Sequence, residues 1–442
     1  MNNQEKILNK IKDKTAKIGV IGLGYVGLPL VIRYLEEGFK VCGFDVDNSK
    51  VEKLNKGESY IEHISPDKIK DFVKDSLFEA RTEMAGLGEQ DVIIICVPTP
   101  LNKDRTPEMR YVTETTETIA KYLRQGQLVS LESTTYPGTT EEVVLPRLSA
   151  GGLKVGEDFF LVFSPEREDP GRADFTTKTI PKVVGGTTPN CLKVGSLAYQ
   201  CVVDTVVEVS STQVAEMTKL LENIYRCVNI ALVNELKVLT EKMGMDIWEV
   251  IEASSTKPFG FNAFYPGPGL GGHCIPIDPF YLSWRAKQFG FETKFIELAG
   301  LVNSGMPEYV VKKIETALGE DNKKLNKSKV LILGMAYKKD VDDLRESPSL
   351  EIIELLLARG ADVEYNDPHI PELPKNMRDH DLQMESKDVS EESLTKYDCV
   401  VIVTDHTSYD YANIVENSQL VVDARGATRG KTKGKKGRVV RA

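Results

Sequence analysis

Residues 17–45 read KIGVIGLGYVGLPLVIRYLEEGFKVCGFD, and this stretch decides the fold. The apolar residues 17–21 predict a short strand, the glycine-rich turn after them leads into a helix through Leu35, and residues 40–45 predict the next strand. Further strands, with helical patterns between them, are predicted at 91–97, 128–132, 159–163 and 183–185. This alternation predicts a mostly parallel, doubly wound α/β sheet.

The turn contains Gly22, Gly24 and Gly27, and Asp45 follows eighteen residues after the last glycine. Two glycines allow a tight turn and a close approach of the backbone to a pyrophosphate, and the third lets the helix pack on the strand. A carboxylate at the end of the second strand accepts hydrogen bonds from both ribose hydroxyls and repels a 2′-phosphate. The pattern therefore predicts an NAD site, which includes Tyr25 and Val26 of the turn. The alternative is a purely structural turn.

A second α/β unit is predicted near the C-terminus, with strands at 329–334, 361–365, 399–403 and 420–422 and a helix at 349–359. Between the two units, Ser210-Ser211-Thr212 offers N-caps, and apolar residues then recur at helical spacing from Val214 to about Met243, which predicts one helix of about 30 residues. This helix is a natural connector and dimer surface. The expected fold is two Rossmann-like doubly wound domains joined by a long central helix. The predicted boundaries are 1–209, 210–320 and 327–442, and the polar run 321–328 is the predicted linker.

The composition excludes several classes of protein. A net charge of −10 argues against a nucleic-acid binder, and no apolar run approaches the ~18 residues that cross a bilayer. The seven cysteines are odd in number and no pair has metal-ligand spacing, so we expect no metal site and a reduced, cytoplasmic protein. The basic run 429–436 is interpreted as a solvated tail.

Three loops follow strands at the edge where ligands bind in such sheets. Pro98 and Thr99 follow one strand, and the hydroxyl-bearing Ser133, Thr134 and Thr135 follow the next. We expect both loops to contact the cofactor or a bound water, although a rigid loop or a helix cap would explain the same residues. The third loop contains Glu166, with Arg167 and Glu168 beside it, and predicts a role near the substrate rather than an ordinary charged surface.

Two further motifs supply chemistry. Lys219 and Asn223 are four residues apart on the long helix, so they share a face and could stabilise an oxyanion, unless they form an exposed polar stripe. Cys274 lies in the turn Gly271-Gly272-His273-Cys274-Ile275-Pro276-Ile277-Asp278. A thiolate together with NAD can oxidise an aldehyde to an acid through a thioester, with Asp278 positioning water.

Alternatives to this assignment remain open. Cys227, one turn beyond Asn223, is a rival thiol, although its apolar neighbours favour a core position. His273 is a less favoured base, and Cys274 itself could be a structural thiol. In the second α/β unit, Lys338 and Arg345 precede a helix and suit an anionic ligand, although a charged loop is the simpler interpretation.

Taken together, these motifs resemble the UDP-glucose and GDP-mannose dehydrogenase family from about Lys17 to Arg425. The resemblance implies an N-terminal NAD domain, a central helical dimerisation region and a C-terminal nucleotide-sugar domain. It implies a four-electron oxidation of a sugar C6 hydroxyl to a carboxylate with two NAD, in a homodimer or higher homo-oligomer.

The resemblance also implies roles for single residues. Cys274 would capture the aldehyde as a thiohemiacetal, Asp278 would assist the hydrolytic water, and Lys219 and Asn223 would steady the oxyanion. Glu166 matches a carboxylate near the reacting centre, and Thr135 a hydroxyl that holds water. The NAD site would include Gly22, Gly24, Gly27, Asp45 and Lys50, and the expected substrate contacts are Arg167, Glu168, Lys219, Asn223, Gly271, Lys338 and Arg345.

The chain departs from many relatives at Ile277, where a lysine is usual, and at Arg167 and Pro170, where many UDP-glucose enzymes have phenylalanine and glutamate. The segments 60–64, 165–171 and 265–269 resemble the branch that oxidises UDP-N-acetylhexosamines. The expected substrate is therefore UDP-N-acetylglucosamine. UDP-N-acetylmannosamine, UDP-N-acetylgalactosamine and UDP-glucose are the alternatives.

Overall fold

A computed structural model describes residues 1–61, 64–102, 104–167, 175–272, 274–374, 377, 380–432 and 437–442. These residues form two compact units. The first unit comprises Met1–Glu222 and Tyr281–Phe291, and the second comprises Asn223–Phe280 and Glu292–Ala442.

The first unit is built on one sheet whose described strands have the order β3-β2-β1-β4-β5-β6-β7-β8. All neighbours are parallel except β6 and β7, which are antiparallel. Nearly every residue of β1, β4, β5 and β6 is buried, because helices cover both faces of a parallel sheet. The strands are β1 Lys17–Ile21, β2 Lys40–Phe44, β3 Phe78–Arg81, β4 Val92–Ile95, β5 Leu128–Leu131, β6 Phe160–Phe163, β7 Lys182–Gly186 and β8 Val206–Val209.

The helices of this unit begin at recognisable caps. Asn2 and Glu5 form a capping box at α1, and the side chain of Thr188 caps α7 with a proline in its first turn. The helices are α1 Asn3–Lys12, α2 Gly27–Glu36, α3 Asn48–Asn55, α4 Pro66–Lys74, α5 Arg110–Tyr122, α6 Leu145–Ser149 and α7 Pro189–Gln200; a 3₁₀ turn spans Met84–Glu89 and a π-helical turn Thr140–Val144.

The long helix α8 spans Thr212–Lys242, as the apolar periodicity predicts, and the boundary between the two units falls within it. Its faces invert the usual amphipathic arrangement. One face carries buried polar side chains, including Glu216, Lys219, Asn223 and Lys237. The opposite face exposes apolar side chains that are spaced four or seven residues apart, namely Val214, Leu221, Tyr225, Leu232, Leu239 and Met243.

The second unit contains a smaller sheet with strand order β10-β9-β11-β12-β13, all parallel. Its strands are β9 Lys329–Leu333, β10 Asp362–Asn366, β11 Cys399–Ile402, β12 Leu420–Asp423 and β13 Arg438–Arg441. The remaining helices are α9 Ile247–Ser255, α10 Asp278–Lys287, α11 Lys294–Ser304, α12 Met306–Glu320, α13 Pro348–Ala358, α14 Glu391–Leu394 and α15 Tyr411–Asn417. Helix α10 crosses from the second unit to the first after Phe280.

The predicted fold class is confirmed: two mostly parallel Rossmann-like sheets accompany a long central helix. The structure adds β3, β8 and β13, which the sequence pattern did not predict. Strand β13 corrects the interpretation of the C-terminus, because the chain after the basic run pairs with β12. Residues 433–436 of that run lie outside the described residues. No helix among the described residues is long and apolar enough to cross a membrane.

Candidate active site

The carboxyl ends of β1, β2, β4 and β5 lie at one edge of the first sheet, because the four strands are parallel and in register. The sheet order reverses at β1, which pairs with β2 on one side and β4 on the other. Open α/β sheets bind ligands at such a switch point. The residues that follow these strands are Gly22, Asp45, Cys96 and Glu132.

The three positions of the first turn require glycine for different physical reasons. A Cβ at Gly22 would lie 2.4 Å from the Cys96 carbonyl oxygen, and Gly22 has a φ of +91°. A Cβ at Gly27 would lie 1.9 Å from the Gly22 oxygen. A Cβ at Gly24 would meet no described atom within 4 Å, so protein packing does not require this glycine. The open side of Gly24 fits a phosphate that approaches the backbone, beside a helix α2 whose N-terminus has no side-chain cap.

Asp45 lies beside the turn and is nearly buried. Its Oδ2 accepts a hydrogen bond from the Leu23 N–H at 2.9 Å, and its Oδ1 accepts from the Asp47 N–H at 3.0 Å. The ammonium of Lys50 lies 3.6 Å from Oδ2. A carboxylate has about four acceptor positions, so these contacts leave capacity for ribose hydroxyls. The residues of this edge therefore fit NAD.

The two neighbouring loops are fixed by internal hydrogen bonds. Ser133 Oγ donates to the Val97 carbonyl at 2.8 Å, which joins the loop after β5 to the loop after β4. Thr99 is buried and its carbonyl accepts from the Tyr281 hydroxyl at 2.9 Å. Pro98 is exposed and Thr134 is half-buried, so both can be reached from solvent.

Thr135 has a buried hydroxyl for which no described group is a hydrogen-bond partner. Its loop is held by Glu216 of α8, which the sequence reasoning missed. Glu216 accepts from the Gly138 N–H at 2.6 Å, and from the N–H and hydroxyl of Thr140 at 2.8 and 2.7 Å. Burial raises the pKa of Glu216 to about 7, although these hydrogen bonds oppose the shift. Helical spacing places Glu216 on the same face as Lys219, and this was the available sequence signal.

Glu166 lies near a buried ion pair that the sequence reasoning also missed. The Lys182 ammonium lies 2.6 Å from Glu132 Oε2 and 3.8 Å from Glu166 Oε2. Glu166 Oε1 accepts from the Arg167 N–H at 2.6 Å. The Arg167 guanidinium pairs with Glu222 at 2.6 Å, so this predicted substrate contact already has an acidic partner. Glu168 lies outside the described residues.

Lys219 and Asn223 share one buried face of α8 and are 7% and 6% exposed, which excludes an exposed polar stripe. Cys227, on the same face, is buried, and burial raises the pKa of its thiol to about 11. A thiol in this environment stays protonated at neutral pH, which makes Cys227 a poor nucleophile.

The turn that contains Cys274 belongs to the second unit and is shaped by its glycine pair. A Cβ at Gly271 would lie 2.5 Å from Tyr337 Cβ, and one at Gly272 would lie 2.8 Å from the Tyr337 ring. The Gly272 N–H donates to the Arg345 carbonyl at 2.9 Å. Both contacts join the turn to the loop after β9. Cys274 is half-buried, and His273 lies outside the described residues.

Asp278 is the first residue of α10 and is 1% exposed. Its backbone N–H donates to the Cys274 carbonyl at 2.8 Å, and its Oδ2 accepts from Asn223 Nδ2 at 2.5 Å. The acid is therefore fixed between the thiol turn and α8. A carboxylate that is held in place in this way can accept a hydrogen bond from a water molecule.

The loop after β9 contains the two predicted anion-binding residues. Arg345 is exposed and its guanidinium binds both carboxylate oxygens of Asp343, at 2.6 to 3.0 Å. Lys338 is half-buried. The structure therefore places both side chains in the loop that contacts Gly271 and Gly272, with Arg345 already paired to an acid.

One group of described side chains in this unit has the chemistry of metal ligands: Asp340, His369 and His406, whose ligand atoms lie within 4.8 Å of one another. His406 Nδ1 accepts from the Asp340 N–H at 3.0 Å, and Nε2 lies 3.0 Å from Asp367 Oδ2. Both ring nitrogens are engaged, so a metal ion at His406 would have to displace one of these bonds.

The chain is similar to proteins of a known family. Residues 16–203 match the NAD binding domain of the UDP-glucose/GDP-mannose dehydrogenase family, residues 213–305 its central domain and residues 331–430 its UDP binding domain. The chain is 36% identical to Protein CapL of Staphylococcus aureus, over 92% of this chain and 95% of that protein. It is 34% identical to UDP-N-acetyl-D-glucosamine 6-dehydrogenase of Pseudomonas aeruginosa, over 81% and 84%.

A solved structure of UDP-D-ManNAc dehydrogenase from Pyrococcus horikoshii superposes with a TM-score of 0.86 and 30% identity, over 96% of this chain and 99% of that one. The sheet edge with the features of a dinucleotide site and the UDP binding domain are both present. The chain therefore belongs to the UDP-glucose/GDP-mannose dehydrogenase family and is an NAD-dependent nucleotide-sugar dehydrogenase.

Proposed function

We propose that this enzyme oxidises the C6 hydroxyl of UDP-N-acetylglucosamine to a carboxylate, for the synthesis of surface polysaccharide. The balanced reaction converts the alcohol, one water and two NAD⁺ to the carboxylate, two NADH and three protons. When bound, NAD supplies the hydride acceptor for each of the two oxidations. The alternatives are the same reaction on UDP-N-acetylmannosamine, UDP-N-acetylgalactosamine or UDP-glucose.

In this proposal Cys274 is the nucleophile. Its thiolate adds to the aldehyde carbon and forms a thiohemiacetal, which is oxidised to a thioester by loss of a hydride. Water then attacks the thioester, the C–S bond breaks, and the thiolate leaves as the acid forms. Asp278 orients that water, and Lys219 and Asn223 stabilise the negative charge that develops on oxygen.

Other residues are proposed to bind and orient the substrate and the cofactor. Glu166 and Thr135 are proposed as the carboxylate and the water-holding hydroxyl near the reacting carbon. Substrate contacts are proposed for Arg167, Glu168, Gly271, Lys338 and Arg345. Cofactor contacts are proposed for Gly22, Gly24, Tyr25, Val26, Gly27, Asp45, Lys50, Pro98, Thr99, Ser133 and Thr134.

A single observation supports this assignment most strongly. The side chain of Asn223 donates to Asp278 at 2.5 Å, and Asp278 in turn donates its N–H to the Cys274 carbonyl. Three residues that the reaction requires are therefore linked to one another and buried or half-buried. If Cys274 were only a structural thiol, nothing in its turn would require a buried carboxylate, Asp278, that is held by the buried amide of Asn223.

The choice of sugar rests on sequence features and relatives. Ile277 is buried, in the place where many relatives have a lysine, and the relatives include enzymes named for UDP-N-acetylglucosamine and for UDP-N-acetylmannosamine. The segments at 60–64, 165–171 and 265–269 favour the N-acetylhexosamine branch. We propose the gluco epimer, because these segments resemble those of UDP-N-acetylglucosamine enzymes.

The proposal includes a homodimer or larger homo-oligomer in the cytoplasm, with domains at 1–209, 210–320 and 327–442. The exposed apolar stripe of α8 supports self-association, since a stripe of this kind on a soluble domain marks an interface. Leu232 is 53% exposed in the middle of it. Replacing Leu232 with Glu should reduce the mass measured by light scattering to that of a monomer, whereas Leu357→Glu on α13 should not. All seven cysteines are free, which supports a reducing compartment.

The decisive experiment supplies the four UDP-sugars with NAD and measures NADH formed per sugar consumed. Two NADH per UDP-N-acetylglucosamine is the expected result. Turnover of UDP-glucose alone would overturn the substrate assignment. Cys274→Ala should form no acid, because no thioester can form, and Cys227→Ala should remain active. Normal acid formation by Cys274→Ala would show that the nucleophile is another residue.

A further inference from the structure

Lys182 is a buried cation that no role above requires. It is the first residue of β7, which runs antiparallel to β6. Its position therefore lies at the carboxyl edge of the sheet, although it begins a strand. The register pairs Phe163 with Gly185, and continuing it outward places Glu166 opposite Lys182. This is why the cation and the carboxylate approach to 3.8 Å.

The ammonium has two acidic neighbours. It lies 2.6 Å from Glu132 Oε2, and the side chains of Lys182 and Glu132 are 7% and 0% exposed. Burial would lower the pKa of Lys182, but the charges of Glu132 and Glu166 raise it above its ordinary value. The residue therefore remains an ammonium. Removing one member of such a buried group leaves an uncompensated charge.

The other groups around Glu132 fix the network. The Tyr199 hydroxyl of α7 donates to Glu132 Oε1 at 2.5 Å, and Ser130 Oγ lies 2.7 Å from the same hydroxyl. Among the described residues, Cys96, after β4, and Tyr34, of α2, are further titratable neighbours of Glu132, and burial raises the pKa of each. Both are neutral near pH 7. Lys182 is thus the positive group among Glu132, Glu166, Tyr199, Cys96 and Tyr34.

We propose that Lys182 is a positioning residue that holds the carboxylate of Glu166 beside a buried positive charge and oriented for the oxidation. The inference rests on the proposed role of Glu166 near the reacting carbon. Glu166 is held on both sides, because Oε1 accepts from the Arg167 N–H and Oε2 faces the ammonium. Glu132 binds the ammonium and is itself bound by the Tyr199 hydroxyl, so the cation stays in place when Glu166 binds substrate.

The first test compares the pH profiles of kcat/KM for the wild type, Lys182→Met and Lys182→Arg. In Lys182→Met the two carboxyls are neighbours with no cation, so they share a proton to a higher pH. The acid limb of the profile should therefore move up by at least about one pH unit. Lys182→Arg keeps the charge and should retain the wild-type limb with a moderate loss of rate.

The second test removes the complication of folding. The double variant Lys182→Met with Glu132→Gln has a neutral pair in place of the buried ion pair, a change that is often well tolerated. We expect a thermal midpoint close to that of the wild type, a kcat lowered at least about tenfold and an unchanged KM for NAD. Wild-type kcat in this folded variant would show that Lys182 is only structural and would overturn the inference.

These outcomes are distinct from a failure of the proposed function. A wild-type enzyme that forms no NADH from any UDP-sugar would overturn the proposed function before a variant is made. A wild-type enzyme that is active, with Lys182 variants that lose rate equally at every pH, would overturn only the role of Lys182.

Discussion

Asp45 in the first unit and Asp367 in the second occupy corresponding places, because each follows the second strand of a β–turn–α–β unit and accepts from the turn after the first strand. Asp45 receives one N–H from its turn, that of Leu23. Asp367 receives two, from Met335 and Ala336 at 2.6 and 2.9 Å, and also contacts His406 Nε2 at 3.0 Å.

The difference shows how one fold separates two tasks. The side chain of Asp367 is fully buried, and its Oδ1 also accepts from the His369 N–H, so it has no capacity left for a ligand. The acid that could bind a ribose in the first unit has become a structural support in the second. The second turn also lacks the open glycine, since the residues after Gly334 are Met335 and Ala336, both buried.

The comparison predicts the largest effect for Asp367→Ala. It removes the acceptor of three backbone N–H groups and of His406, so we expect a loss of about 3 kcal/mol of stability or more. Burial would raise the pKa of Asp367, but His406 and the backbone donors lower it overall. Its contribution is therefore fully present above the unfolded pKa of about 4 and is lost as the pH falls from there through the lower pKa of the folded state.

Thermal unfolding of the wild type and the variant at pH 7 and at about pH 3 measures this effect, and the difference between them should shrink at the lower pH. Asp362→Ala, at the exposed first residue of β10, is the matched control and should change little. An unchanged midpoint for Asp367→Ala would contradict the supporting role, and weakened NAD binding in a folded variant would show that the acid has a ligand function.

The second effect concerns Asp45→Asn. The amide keeps an acceptor for Leu23 but loses the charge that favours two ribose hydroxyls. We expect NAD to bind about 10 to 100 times more weakly, with a smaller penalty against NADP than in the wild type. Fluorescence titration with both cofactors measures it. Asp71→Asn, exposed in α4, is the control, and equal NAD affinity in Asp45→Asn would remove Asp45 from the cofactor site.

The third prediction compares alanine substitutions at Gly24 and at Gly22. Alanine at Gly24 meets no described atom, so the midpoint of unfolding should stay within about 2 °C while the KM for NAD rises about tenfold. Alanine at Gly22 would collide with the Cys96 carbonyl and adopt a φ of +91°, so it should destabilise the first unit. If Gly24→Ala unfolds as readily as Gly22→Ala, the glycine serves the protein rather than the cofactor.

The smallest effects concern how the stability depends on pH, through one buried titratable residue near each end of α8. Burial lowers the pKa of Lys237 to about 7, with Lys313 and Arg425 adding to the shift and Asp423 opposing it. Burial raises the pKa of Glu216, in the first unit, to about 7. A lysine with a lowered pKa destabilises most below pH 7, and a carboxyl with a raised pKa destabilises most above pH 7.

Lys237→Met should therefore raise the thermal midpoint more at pH 6 than at pH 9. For Glu216→Gln, the thermal midpoint relative to that of the wild type should be higher at pH 8 than at pH 5. Lys242→Met, exposed near the end of the same helix, is the control and should show no trend. Parallel trends for Lys237→Met and Glu216→Gln would contradict the assigned charges.

Much of the fold could be predicted from the sequence because periodicity is local. Apolar runs bounded by glycine identified β1, β2 and β9, and a 3.6-residue repeat identified α8 within two residues. The short strands β3, β8 and β13 were missed, since Val206–Val209 is mostly exposed and carries no continuous apolar run. The sequence predicted α8 as a connector and dimer surface but not which of its faces is exposed, because periodicity shows that a helix has two different faces and not which one the protein buries.

The sequence by itself determined that the chain has a dinucleotide turn, a thiol turn with an acid four residues later, and a helix that presents Lys219 and Asn223 together, because each of these depends on spacing along the chain. Only the tertiary structure decided that Asn223 binds Asp278, that Glu216 holds the Thr135 loop, and that Lys182 lies opposite Glu166. These contacts join residues that are 16 to 78 positions apart or depend on an antiparallel pairing. Such pairings follow from sheet register and burial, which local spacing does not contain.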